Sequence, residues 1–111
     1  MINDLVSGLF SGHVAVEIPD NRNDIEAFLT WLKKACPFAT WNDGSELTEF
    51  FPNPSLDKVR CFHAHHLRGL MYDSRVYIQE TWPHITFATT DEVMNFNHHK
   101  PDFSAFVDDL L

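Results

Sequence analysis

Apolar and polar positions alternate along the chain in a way that divides it into short elements. Ile2, Leu5, Val6, Leu9 and Phe10 share one side of a helix over residues 3–10, which Asn3 would cap and Gly12 would end. Residues 13–18 (HVAVEI) alternate as a strand, with Val14, Val16 and Ile18 opposite His13, Ala15 and Glu17, and Pro19 stops it. Helical spacing then joins Ile25, Phe28, Leu29, Leu32 and Cys36, while Arg22, Asp24, Glu26, Lys33 and Lys34 face outward. Asn23 with Glu26 has capping-box spacing, acids lead and lysines trail as the helix dipole prefers, and Pro37 marks the end.

The second half is more broken. Residues 38–41 (FATW) predict a short strand entering the turn Asn42-Asp43-Gly44, and Ser45 is placed to cap one turn running to Phe51. Residues 53–57 are loop. Residues 59–66 predict a strand, Arg68-Gly69 a tight reversal, and residues 70–72 its hairpin partner. Asp73 or Ser74 would cap a short helix reaching about Trp82. Residues 84–89 (HITFAT) form a further strand with Ile85 and Phe87 on one side, residues 91–96 a helical turn, and residues 97–100 a polar break. Pro101, with Asp102 beside it, opens a last helix whose stripe is Phe103, Phe106, Val107 and Leu110. The implied fold is α+β. A single small domain carries an antiparallel or mixed sheet of about four or five strands, covered on one face by one amphipathic helix, with short N- and C-terminal helices.

Composition agrees with that picture: in 111 residues, 44% are apolar and 22% charged, the balance of an ordinary folded domain and not of a disordered chain. Charge narrows the partners. Sixteen acids against eight bases give a formal −8, the wrong sign for a direct nucleic-acid binder, which must replace condensed counterions with Lys and Arg. No signal-peptide pattern and no long apolar span is present, so no membrane is expected and the expected location is the cytoplasm. Cys36 and Cys61 form no CxxC pair and read as free, buried thiols. No P-loop, GxGxxG, GxSxG, HExxH or EF-hand pattern occurs, and no cofactor is implied.

Seven histidines in this length raise the question of chemistry. On a strand, Cys61, His63 and His65 project from one side, with neighbours roughly 6.5 to 7 Å apart, close enough for two imidazoles to share a metal. A zinc site needs a third donor, for which His84 is the candidate. Against this stands the plainer reading, strand histidines that hydrogen-bond beside a hairpin. Residues 83–87 (PHITF) resemble the His-x-Thr strand motif of two-histidine phosphoesterases; that chemistry needs a second motif facing the first, and His63-Ala64-His65 lacks the hydroxyl. Cys61 and Cys36 are expected to be packed and inert.

Aromatic and acidic residues suggest recognition instead. Trp41 beside the Asn42-Asp43-Gly44 turn either packs beneath the 45–57 segment, the plainer reading, or anchors a partner. Phe50-Phe51 poses the same choice, since two successive aromatics cannot both face one core from a regular element. Between Thr89 and Leu111, Asp91, Glu92, Asp102, Asp108 and Asp109 face Lys100 alone, an acidity that serves solubility or complements a basic groove.

The strand HVAVEI, the helix DIEAFLTWLKK, the turn ATWNDG, the strand RCFHAH with its GLMYD partner, and HITFAT together resemble the small accessory proteins of phages and prophages of Gram-positive bacteria. The resemblance implies a non-enzymatic binding protein in a bacterial host cell, with several such proteins being anti-CRISPR or other anti-defence inhibitors. It transfers no individual site residue. The expected partner is a host protein or protein–nucleic-acid complex, met by Trp41, Asp43 and Phe51 as anchors and steering group, with Asp102, Asp108 and Asp109 adding charge. Self-association through Phe103, Phe106 and Leu110 would make a homodimer. The alternatives are a metal-dependent or phosphoryl-handling enzyme built on His63, His65 and His84, or a small-ligand (nucleotide) binder.

Overall fold

The structure, a computed structural model, describes residues 4–65 and 69–96. Helix α1 (Asp4–Ser11) leads into strand β1 (Val14–Glu17), and helix α2 (Arg22–Ala35) follows. A 3-10 turn (Leu47–Glu49) precedes strands β2 (Arg60–His63) and β3 (Met71–Ser74), then come helix α3 (Arg75–Thr81), strand β4 (Thr86–Thr89) and helix α4 (Thr90–Asn95). The four strands make one mixed sheet in the order β3-β2-β1-β4, antiparallel except for the β1–β4 pair. The α+β expectation therefore holds. The 101–111 helix, Asn3 and Arg68 lie outside the described residues.

Register explains the two faces of the sheet. Val16 faces Phe62 across β1–β2 and Ala88 across β1–β4, so these side chains share one face with Val14. On that face α1 contributes Val6, Leu9 and Phe10, and α2 contributes Ile25, Phe28, Leu29 and Leu32. Phe28 stacks on Phe62 at 5.6 Å and on Trp31 at 6.2 Å, a well-filled aromatic centre. Ala15 and Cys61 point to the opposite face, where Ile78 of α3 and Ile85 cover them with Trp82 and Phe87. Coverage on one face only is thus corrected. The middle strands are apolar on both sides, and a second layer must bury the far one.

Helix ends obey local chemistry more finely than the spacing suggested. Asn21, not Asn23, caps α2, its Oδ1 accepting the N–H of Asn23 at 2.8 Å and of Asp24 at 3.3 Å. The reciprocal capping box sits at α4 instead, between Thr89 and Glu92. Ser74 caps α3. Asn21→Ala should cost about 1 kcal/mol in thermal unfolding, and Asn23→Ala less than about 0.5 kcal/mol. Equal losses at the two positions would refute the assignment. Residues 38–41 form no strand of their own; they hold single bridges, Thr40 to Glu46 and Trp41 to Leu70. Lys33, from the last turn of α2, fastens this segment by donating to the carbonyls of Pro37 and Ala39 and pairing with Glu46 at 2.7 Å.

Candidate binding site

The chain turns tightly after Trp41. The Trp41 N–H donates to the Ser45 carbonyl and the Gly44 N–H to the Trp41 carbonyl, both at 2.8 Å, with Gly44 at φ +90° where a glycine is at ease. Asp43 Oδ1 accepts the Ser45 N–H at 3.0 Å and the Ser45 hydroxyl at 2.6 Å. These two bonds, the hydroxyl first, hold its carboxyl below the usual carboxylate range. The charge sits in water at the rim of a concavity of about 470 Å³, lined by Trp41, Asp43, Ser45, Phe50, Leu70 and Tyr72 among others.

Three rings shape that concavity. Trp41 is its floor, 6% exposed, and its ring meets Phe50 at 5.8 Å and Tyr72 at 6.0 Å, both nearly perpendicular (73° and 74°). Phe50 stands 48% exposed as one wall. The Trp41 indole N–H is buried and has no acceptor, an unmet polar group in a site otherwise built from ring surface. Trp41 and Asp43 are the expected residues that line the concavity; Phe50, left open against Phe51 by the sequence, joins them with Tyr72 and Ser45. The expected anchor Phe51 is instead half-buried against the main core with Arg22 over its ring at 5.5 Å. The Phe50-Phe51 pair does split as alternation requires, with the other member outward. Asp102, Asp108 and Asp109 lie outside the described residues.

The histidines form a second cluster on the other face of the sheet. His63 is fully buried, its Nε2 2.7 Å from Asp73 Oδ2 and its Nδ1 2.9 Å from His65 Nε2. A carboxylate can only accept, so the bond to Asp73 places a proton on His63 Nε2 and leaves Nδ1 for the contact with His65. Trp82 covers both rings, at 5.4 Å and 4.3 Å between centroids. His84 turns its Nε2 to the Gly12 carbonyl at 3.2 Å and lies 5.9 Å from the ring of His13, whose Nδ1 meets the Ser11 hydroxyl at 2.9 Å. Of the alternative ligand set, His63 and His65 are brought together, whereas His84 bonds the Gly12 carbonyl instead. Two of its members are joined to each other by a hydrogen bond, and no group of three His, Cys, Asp or Glu side chains among the described residues is arranged to hold a metal ion.

Cys61 lies beside this cluster, buried and free like Cys36 in the main core. Burial first, and then the Glu17 carboxylate, push its thiol up to about 12 against the nearby Arg75, which pairs with Glu17. The folded state keeps this proton where the unfolded thiol, near 9, loses it. Stability is therefore fully present below about pH 9 and falls as pH rises from 9 to 12, at most about 1.4 kcal/mol per pH unit. Denaturant midpoints between pH 8 and pH 11 should drop less in Cys61→Ala than in the parent chain; parallel curves would contradict this.

Among the described residues no helix is long and apolar enough to cross a membrane. No family model, curated protein or solved structure was found to match the chain, so its own geometry is what speaks for its role.

Proposed function

We propose that this chain is a non-enzymatic binding protein whose partner seats on the concavity floored by Trp41. One observation carries the reading: three rings and a charged carboxylate converge on a hollow of about 470 Å³, within the size range of ligand and anchor pockets. The formal charge of −8 favours a basic partner surface and speeds its approach. In the phage-accessory role that the architecture resembles, the partner is a host protein or protein–nucleic-acid complex in the bacterial cytoplasm, and binding inhibits it.

The test is a pair of rim variants. Phe50 and Asp43 are exposed, and asparagine keeps the Oδ1 acceptor for Ser45, so Phe50→Ala and Asp43→Asn should leave the stability within about 1 kcal/mol of the parent. Each should weaken a captured partner at least roughly tenfold, as hot-spot anchors do. Capture that recovers the chain alone, or a partner indifferent to both variants, would end this reading. Native mass measured in parallel reads out self-association.

A further inference from the structure

The concavity opens beside an edge of the sheet that, among the described residues, no further strand completes. β3 is an outermost strand, and alternate residues along it turn their main-chain groups toward β2 or away. The Arg75 N–H donates to the Val59 carbonyl at 2.9 Å, which puts Met71 and Asp73 among the residues bonded to β2 and turns Leu70 and Tyr72 outward. Leu70 shows the outward sense directly. Its N–H donates to the Thr40 carbonyl at 2.8 Å and its carbonyl accepts the Asn42 N–H at 2.9 Å. The 40–42 segment thus occupies the outer edge at Leu70 and then leaves it at the Asn42–Gly44 turn. One step further along, the Tyr72 N–H and C=O face the same way, and no described residue bonds them.

Side chains at this spot favour a particular cation. Each described arginine of the chain lies over an aromatic ring: Arg22 over Phe51 at 5.5 Å, Arg60 over Tyr72 at 5.3 Å and Arg75 over Phe87 at 4.3 Å. Trp41, the ring type that holds cations best, has no cation over it among the described residues, yet Asp43 stands at its rim. Both Ser45 donors end on Asp43 Oδ1, leaving Oδ2 for an incoming donor. Guanidinium suits this better than ammonium, because its flat face stacks on a ring while its edge bonds a carboxylate.

Resting on the binding reading above, we infer that the partner presents an extended segment that pairs with the outward main chain of Tyr72 as an added strand and places an arginine side chain between Trp41, Phe50 and Asp43. Main-chain bonds supply the alignment and the ring pocket selects the residue, the division of labour found in strand addition generally.

The experiment titrates the isotope-labelled full chain with a blocked five-residue Val/Thr peptide carrying a central arginine. A second peptide has citrulline there, which keeps the shape and removes the charge, and a third is N-methylated along its backbone. Resonances of the Tyr72 amide and the Trp41 indole should move with the first peptide. Citrulline should bind at least roughly tenfold more weakly, and N-methylation should abolish binding. Asp43→Asn should weaken the arginine peptide by a larger factor than the citrulline one, because only arginine loses a charge pair. Equal binding of arginine and citrulline overturns the cation claim, and shifts that avoid Tyr72, or none at millimolar peptide, overturn strand addition. In either case, partner capture that still depends on Phe50 leaves the concavity reading standing, whereas loss of that dependence removes both.

Discussion

Gly69→Ala should destabilise the protein by about 3 kcal/mol and open the concavity. A methyl group on Gly69 would fall 2.7 Å from the Asn42 Cα and closer still to the Trp41 carbonyl, both backbone atoms that cannot swing aside. Relief requires the 40–42 segment to move off Leu70, which strains the two main-chain bonds made there, from Leu70 to Thr40 and from Asn42 to Leu70. Overpacking of about 1–3 kcal/mol and two bonds near 1 kcal/mol each set the scale. Because Trp41 and Asp43 ride on the displaced segment, partner binding should fall with stability. Denaturant unfolding checks the first effect, and Trp41 fluorescence quenching by iodide checks the second. A variant as stable as the parent with its indole still shielded would show that the two segments are not in contact.

His63→Ala should cost a similar 3–5 kcal/mol, and the comparison with Asp73→Asn shows why. His63 is fully buried between Asp73, His65 and Trp82, so truncation leaves a hole and removes both hydrogen bonds at once. Asp73 has its side chain 42% exposed, and the substituted amide still offers His63 a polar partner while water meets the rest. Asp73→Asn should accordingly cost only about 1 kcal/mol. The prediction is checked by chemical denaturation of both variants, with far-ultraviolet circular dichroism confirming the fold. Losses of equal size would mean that the carboxylate, not the buried imidazole, is the fixed point of the cluster. The same pair separates scaffold from chemistry: as a structural network, the cluster changes stability and leaves partner affinity alone.

The histidine cluster also shows how far spacing alone can be read. Placing Cys61 and His63 on one side of a strand follows from alternation, and β2 bears it out. Asp73 went unnoticed as the third member, although the hairpin sets it opposite Cys61 on the same face. A register with a strand ten residues away is invisible in local periodicity, and a one-residue slip would have put Tyr72 there instead. The choice between Asn21 and Asn23 failed for a related reason. Both are good caps, and what separates them is which one has extended backbone as the helix begins, with Asn21 at φ −130° and ψ 125°.

Periodicity by itself determined the elements: the amphipathic stripe of α2, the alternation of β1 and β4, a cap for α3 at Asp73 or Ser74 and the α+β class all rest on interactions within a few residues. Tertiary structure decided which side of the sheet each element covers, that β4 lies parallel to β1, that Phe50 rather than Phe51 stands outward, and that Tyr72 closes one side of the Trp41 hollow. The division has a physical cause. Local preferences are set by backbone sterics and side-chain direction, whereas the hollow exists only because Gly69 lets two distant backbone segments approach within bonding distance, a contact whose worth depends on everything else that has already folded around it.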